Sequence, residues 1–563
     1  MAASNGKALS AAETRPLRPE KPEPTWDLVL KRNPVERIKR EKDPLGIRDE
    51  LPALIAAGYE SVAEEDIVRL QWWGLYHDKP KLGSFMLRIK LPSGHLTPAK
   101  LRAIGEVSAR YGRGDAELAT RQNVQLHWLE LASLPDVFAD LDAAGLSTAG
   151  GCGDTVRNIT GCPVQGLAAD ELFDCSEVVR EAAEFFYGNP EYADLPRKHK
   201  ITISACAHAC NAPEINCIAL VGVLVDGREG FRVRVGGGLS SVPRISRDLG
   251  VFVPREEAIP MLRAILDAWK TDLRYRVSRV KARLKFMVDD IGAEGVRERV
   301  EALLGYGLED LAPAALPVSV DHMGIRGQKQ PGLSSVGVPV HLGLTSSAQL
   351  VAVSGLAEGL GADIRLTRQQ NFIVANVPTE RVGEAVARLG EIGFDPDANP
   401  VRAKGVACTG EPHCNFSVTE TKSRLGRLIE RLEERFGRAI ADLGLQLDGC
   451  PHSCAQHWIA DLGFQGTTAR DTEGKRRQAY DIFVRGGLGP DAQIGRPLFR
   501  RVLSEQLDAA VEGLVHGWLD GRRDGEAFAA FARRLTDDEL GALAGIEPAR
   551  SRHTGAETEA EAA

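Results

Sequence analysis

The chain repeats itself, and the repeat constrains its fold more than any other feature. Leu118-Ala-Thr-Arg-Gln-Asn123 matches Leu366-Thr-Arg-Gln-Gln-Asn371 without a gap, so Gln122 falls on Gln370 and Asn123 on Asn371, an offset of 248. Upstream of each copy a helix-like segment opens at Thr97 or Thr345, where threonine can cap. Downstream, FADLDAAGL ending at Leu146 matches VARLGEIGF ending at Phe394. At an offset of 244, Cys206-Ala-His-Ala-Cys210 is similar to Cys450-Pro-His-Ser-Cys454; Gly237-Gly238-Leu239 then pairs with Gly486-Gly487-Leu488 at an offset of 249. Four pairs in one order at nearly one offset imply a duplicated unit with pseudo-two-fold symmetry. Strand-like runs at 85–91, 123–129 and 371–377 alternate with amphipathic helical patterns, which predicts a mixed α/β, or α+β, architecture. A duplication of this kind places a site where the two related halves meet.

Composition narrows the class. Of 563 residues, 43% are apolar and 26% charged, an ordinary globular balance. No apolar run approaches the ~18–20 residues that span a bilayer. The first residues lack the apolar core of a secretory signal, so the expected location is cytoplasmic. A net charge of −8 argues against general nucleic-acid binding and leaves room for a local basic pocket. Residues 1–45 are rich in Pro, Lys, Arg and Glu without sustained periodicity and are expected to be a disordered or surface-wrapping arm; 547–563 are expected to be a polar tail.

Ten cysteines in a reducing compartment suggest metal or catalysis more than disulfides. Cys408-x5-Cys414 is followed after 35 residues by Cys450-x3-Cys454. Two short loops bearing four thiolates suit one cubane iron–sulfur cluster. Structural zinc usually takes tighter Cys-x2–4-Cys loops, and unliganded core cysteines are the remaining alternative. Gly449 and Pro451 suit turns that aim amides at cluster sulfurs.

Cys-x5-Cys followed by Gly-Cys-Pro-x-x-Cys resembles the signature of the sirohaem and [4Fe–4S] nitrite and sulfite reductases. The resemblance covers about residues 65–545. It implies an internally duplicated fold with ferredoxin-like half-domains: a first half over 46–148, a first sirohaem-binding domain over 149–330, a second half over 331–400 and the cluster-and-sirohaem domain over 401–546. It implies that Cys408, Cys414, Cys450 and Cys454 hold the cluster and that Cys454 also ligates the sirohaem iron.

Sirohaem and a small oxyanion substrate both demand cations. By the same resemblance Arg88, Arg157, Lys198 and Lys200 surround the substrate side of the sirohaem. Arg121, Gln122 and Asn123, with His127 in the same segment, resemble the stretch that contacts the macrocycle. Lys281-Ala-Arg283-Leu-Lys285 is a further basic run suited either to sirohaem carboxylates or to an exposed helix face. Strand alternation would project Arg88 with Lys90, and Lys198 with Lys200. Many nitrite reductases of the family have Lys-x-Asn where this chain has Lys198-His199-Lys200, so the second lysine favours dianionic sulfite over nitrite as substrate.

Tyr76 and Cys152 resemble a pair that is cross-linked beside the haem in ferredoxin-dependent sulfite reductases, and their proximity is expected here. Cys206 and Cys210, with Cys152 and Cys162 upstream, are a second cysteine set. Cys152-x9-Cys162 lacks the spacing of the other half, which favours a relic of duplication over a second cluster. Cys175 and Cys217 are expected to be buried small residues. No complete Gly-x-Gly-x-x-Gly or flavin pattern occurs, so electrons are expected singly from a carrier, reduced ferredoxin by resemblance. His413, Lys422, Arg424 and Arg427 are candidates for its docking surface. The duplicated glycines at 236–238 and 486–489 are expected to allow close approach to a cofactor or substrate edge.

Overall fold

The computed structural model describes residues 23–549. The first part of the expected arm and nearly all of the expected tail lie outside them. Within the arm, Trp26–Arg32 and Pro34–Glu41 are helices. Each is too short to show helical periodicity. Thr25 caps the first, and Asn33 both caps the second and donates to the Arg276 carbonyl at 2.7 Å. Glu36 pairs with Arg276 at 2.8 Å, which ties this segment to the body of the protein.

Four five-stranded sheets carry the duplication. The first runs Leu75–His77, Ser84–Ile89, Asn123–Glu130, Asp115–Ala119, and takes Leu344–Ser346 as its edge. Its counterpart runs Gly324–Gly327, Leu333–Val338, Phe372–Pro378, Asp363–Leu366, and takes His95–Leu96. Each half therefore donates its edge strand to the other. Both cover the exposed edge that an open sheet would leave, and the two halves share one core, from Leu87 and Leu126 to Val374 and Leu389.

Helices Pro98–Tyr111 and Ser347–Leu360 pack across the same core. Thr97 caps the first as expected. In the second copy the cap is Ser346 rather than Thr345, because Gln349 completes a reciprocal capping box with Ser346.

The symmetry is sealed by two glutamines. Gln122 donates to the carbonyls of Gly161 (3.1 Å) and Leu366 (3.0 Å) and accepts from the Gly161 amide (2.9 Å). Gln370 donates to Ala407 (3.0 Å) and Leu118 (3.0 Å) and accepts from the Ala407 amide (3.1 Å). Gly161 and Ala407 are thus structural counterparts, and so are the residues that follow them, Cys162 and Cys408.

The other two sheets each join a parallel pair to an antiparallel meander: Ile201–Ser204 beside Ile218–Val225, and Leu445–Asp448 beside Leu462–Arg470. Each has its own apolar core. Among the described residues no helix is long and apolar enough to cross a membrane.

Candidate active site

The cysteine loops leave the ends of two parallel strands. Val406–Ala407 leads into Cys408, and Leu445–Asp448 into Cys450. Asp448 pins the second loop: its carboxylate accepts from the amides of Ala455 (2.7 Å) and His457 (3.3 Å) and pairs with His457 Nδ1 (2.8 Å). The Gly449 amide points at Cys408 Sγ, 3.3 Å away, as the turn chemistry anticipates. A Cβ on Gly449 would collide with Ser417 Oγ, so only glycine fits. Burial raises the thiols of Cys408, Cys450 and Cys454, and their neighbouring sulfurs and Asp448 raise them further. These three thiols resist ionising alone, and iron bound to them and to Cys414 would stabilise the thiolates, so the donor set fits a cluster.

The first loop is clamped by the segment around Asp78. Lys79 donates its amide to the His413 carbonyl (2.9 Å) and its ammonium pairs with Glu411, while Asn415 donates to the His77 carbonyl (2.8 Å). Behind them lies a buried charge network. His127 bonds Asp78 through Nδ1 (2.8 Å), approaches Glu117 through Nε2 (3.7 Å) and stacks on His413 (3.9 Å between centroids). Burial opposes both charges in the Asp78–His127 pair, but their mutual hydrogen bond wins, leaving Asp78 at about 2 and His127 at about 9. His127 therefore sits in the Asp78 network behind the loop that carries Cys414. Asn123, Gln125 and His127 share a strand face, yet four residues carry the chain roughly 13 Å, past the cleft and onto the Cys414 loop.

Cys454 is accessible, yet burial raises its thiol. Both hold together only if it opens into a cleft enclosed by protein. Cations line the same space. Arg157 is fixed by the carbonyls of Gly151 (3.2 Å) and Gly153 (2.8 Å). Arg88 is fixed by Gln125 (3.1 Å) and contacts Cys152 Sγ (3.3 Å). Arg121 reaches Asn216 (2.8 Å) and the Ile201 carbonyl (3.1 Å), while its buried Nε has no partner. Arg283 donates to Cys217 Sγ (3.0 Å), and its buried Nε is also unpartnered.

Among the described residues neither the Lys198 nor the Lys200 ammonium has a hydrogen-bond or ion-pair partner. Burial, then Arg157, pulls Lys198 down to about 7; burial, Arg121 and Arg283 push Lys200 well below the usual lysine range. Cys454 acts on both, as it does on Arg88. Cations that repel one another this strongly, with unpaired donors between them, fit a polyanionic cofactor and an anionic substrate. The donor set and the cleft accordingly match the sirohaem and cluster implied by the sequence.

His199, between the two lysines, points the other way: it is fully buried against Trp269 and held neutral by burial. The Lys198–Lys200 alternation is thus realised. The Arg88–Lys90 alternation is not, since Lys90 is buried, bonds the Val156 carbonyl (3.0 Å) and sits over the Tyr187 ring.

Other expected residues lie elsewhere. Gln122 and Asn123 are buried, and Gln122 is the seam lock between the halves. Lys281 is exposed. Lys285 is buried and bonds the Leu239 carbonyl (2.8 Å), so only Arg283 of that basic run joins the cleft cations. A Cβ on Gly237 would meet the Glu214 carbonyl at 2.4 Å and one on Gly486 the Trp458 carbonyl at 2.7 Å, so these two glycines admit the protein's own backbone, while one on Gly238 would meet the Arg283 guanidinium at 2.5 Å. Lys422 and Arg424 are buried, Lys422 bonding the Leu342 carbonyl and Arg424 pairing with Asp508; His413 belongs to the Asp78 network. Of the proposed docking cations only Arg427 is exposed, paired with Glu420. Residue type alone does not tell which face of a helix a basic side chain takes.

The Tyr76 phenol is raised by burial and next by Cys152, so the two side chains are neighbours. A cross-link would make the denatured chain lighter by two hydrogens. Intact-mass measurement of wild type against Cys152→Ser checks it, and an unshifted wild-type mass would leave proximity alone. Asp448, Glu117 and Asp78 were not legible as site residues: acidic side chains beside an anion-binding centre have meaning only through the loops they hold.

Comparison with known proteins agrees with this geometry. The model for the nitrite and sulphite reductase 4Fe-4S domain matches residues 152–306, and that for the nitrite/sulfite reductase ferredoxin-like half domain matches 77–144 and 326–392. The four-cysteine set, Cys408 to Cys454, lies outside that first match, in the segment that the internal repeat relates to it. The chain is 35% identical over 540 residues to sulfite reductase [ferredoxin] 2 of Mycolicibacterium paratuberculosis, covering 90% of this chain and 96% of that one. It is 34% identical to ferredoxin–nitrite reductase of Leptolyngbya laminosa, covering 85% and 97%. The solved structure of the Mycobacterium tuberculosis NirA protein superposes with a TM-score of 0.85 at 32% identity, covering 90% and 97%. With its duplicated half-domains, its four converging cysteines and a cationic cleft at Cys454, the chain belongs to the nitrite and sulfite reductase family and carries that family's sirohaem and [4Fe–4S] cluster.

Proposed function

We propose that this oxidoreductase reduces sulfite to sulfide, taking six electrons from reduced ferredoxin. The observation that carries the choice of substrate is the pair of unpartnered ammoniums, Lys198 and Lys200, facing the same cleft as Cys454. A dianion gains more from two such charges than a monoanion does. The relatives' names divide between sulfite and nitrite at 35% and 34% identity, so the choice rests on Lys200. Those names, together with the absence of a flavin or dinucleotide motif in the sequence, support ferredoxin as donor.

Cys408, Cys414, Cys450 and Cys454 would hold the cluster, and Cys454 would also reach the sirohaem iron; when bound, the coupled centre supplies the electrons. Arg121 and Arg283, whose Nε atoms are unpaired, would hold carboxylates of the macrocycle. Arg88 and Arg157, each held by fixed acceptors, orient the oxyanion without side-chain reorganisation. Lys198, held near neutrality, can give up a proton at physiological pH and regain it from water. Lys200 adds the second charge and a second proton.

Steady-state kinetics on sulfite and nitrite with one reduced donor test this. Sulfite should have the higher kcat/KM. Lys200→Asn should lower sulfite turnover about 10–100-fold, the worth of one charged hydrogen bond, and nitrite turnover less. Equal losses on both substrates would remove Lys200 as the discriminator.

A further inference from the structure

The first half of the molecule contains a second convergence of thiols. Among the described residues, three metal-ligating side chains come within 4.8 Å of one another in only two places, the Asp78–His127–His413 network and Cys162–Cys206–Cys210. We propose that Cys162, Cys206 and Cys210 bind one zinc ion, with His322 as the fourth ligand.

The three cysteines are counterparts of cluster cysteines. Cys162 follows Gly161 as Cys408 follows Ala407, and the same glutamine bracket holds both. Cys206 and Cys210 match Cys450 and Cys454 at the offset of 244 that also relates strands Ile201–Ser204 and Leu445–Asp448. The comparison that matters is therefore Cys162 with Cys408, not Cys152-x9-Cys162. Six residues on, where Cys414 completes the cluster set, stands Ala168.

The geometry separates a single ion from a cubane. Cys206 Sγ and Cys210 Sγ are 3.5 Å apart, and all three sulfurs lie within 4.8 Å. A tetrahedral zinc with Zn–S bonds of ~2.3 Å spaces its sulfurs by ~3.8 Å. A cubane adds an iron–iron edge between its terminal thiolates and spreads them further. No three of the cluster cysteines meet the 4.8 Å limit. Val164, Leu167, Ile373 and Ala375 pack directly around Cys162 and Cys210, which leaves an apolar wall where a cluster's sulfides would sit.

His322 Nε2 lies 3.6 Å from Cys162 Sγ, about the S···N separation that bonds of ~2.3 and ~2.05 Å give around a tetrahedral ion. The imidazole lies beyond 4.8 Å from the other two sulfurs, so it must swing toward them to complete the shell. Three thiolates on Zn2+ leave one negative charge. Arg365, buried and with an unpartnered Nε, and Arg368, bonded to the Cys210 carbonyl at 3.2 Å, lie beside it. His322 lies two residues before the strand Gly324–Gly327, so the ion would staple the first sirohaem-type domain to the sheet of the second ferredoxin-like half.

Elemental analysis of desalted holoenzyme tests the site. We expect about one zinc per chain beside about five irons, four from the cubane and one from the haem. Cys206→Ser should lower zinc at least tenfold and leave iron and the visible spectrum unchanged. Zinc K-edge absorption on wild type, which iron does not obscure and which needs no variant to fold, should read three sulfurs and one nitrogen. Absence of zinc, about nine irons, or a Cys206–Cys210 disulfide in the intact mass would each overturn the proposal. A zinc shell of nitrogen and oxygen only would overturn it as well, and oxygen in place of the nitrogen would remove His322 from it.

Discussion

Replacing Lys198 by methionine should lower kcat/KM for the oxyanion by about 10²–10⁴-fold, the combined worth of a positioned proton donor and an electrostatic contact. Methionine keeps the apolar stem and removes only the ammonium, so packing against the cleft wall survives. Folding should not suffer either. Burial and Arg157 hold Lys198 at about 7 in the folded protein, below its unfolded value, so charging it opposes folding. That opposition is complete below about pH 7 and fades as pH rises toward the unfolded lysine value of about 10.5. Protein freed of sirohaem should therefore be as stable as wild type, or more so, when it carries Lys198→Met at pH 6, and indistinguishable from it at high pH. In the loaded enzyme Lys198 would be recharged by the carboxylates and the oxyanion beside it, which would raise its pKa. The wild-type rate should then fall as pH climbs through a value above 7, and the variant should lack that limb. A variant within about threefold of wild type, with the alkaline limb intact, would show that Lys198 neither binds nor protonates substrate.

Asp78→Ala should be the most destabilising single change at the cluster side, costing about 3–5 kcal/mol, because it strips the partner from a buried imidazolium. Asp78 has no exposed surface. It accepts from His127 Nδ1 and from the Trp128 amide, both at 2.8 Å, and faces His413 at 3.5 Å. His127, raised to about 9, contributes stability that is complete below its unfolded value near 6.5 and is lost as pH rises through 9. Asp78, lowered to about 2, contributes stability that is complete above about 4 and is lost as pH falls through 2. The gap between wild type and Asp78→Ala should thus be widest between about pH 4 and 6.5 and narrow toward 9. Thermal unfolding of the holoenzyme across that range checks it. A gap independent of pH would mean that the carboxylate acts through packing alone. Because the Asp78 segment clamps the loop carrying Cys414, the variant should also lose cluster iron faster under chelation.

These two predictions come from different depths of legibility. Lys198 could be found from its spacing with Lys200 once the cysteine signature had suggested the family. Asp78 could not, since a lone aspartate between His77 and Lys79 carries no pattern. His127 was visible as a basic residue in a site-like segment, but its destination depended on how far its strand runs past the cleft. The same limit governs Lys285 and Lys422. Both are cations in basic runs, and both turned out to donate to backbone carbonyls inside the protein. The edge-strand exchange was hidden because His95–Leu96 and Leu344–Ser346 are two and three residues long, too short to show alternation.

By itself the sequence determined the duplication, the four-cysteine set and the supply of cations, since each is written as residue identity at a fixed spacing. Only the tertiary structure decided which cations face Cys454, which are neutralised by carbonyls, and that Cys162 rather than Cys152 is the partner of Cys408. Sign of charge belongs to a residue. Its partners, and with them its pKa and its role, belong to contacts between segments tens to hundreds of residues apart, such as Gln122 with Leu366 and Gln370 with Leu118. Those pairings are made by the closing of one half on the other and have no local signature.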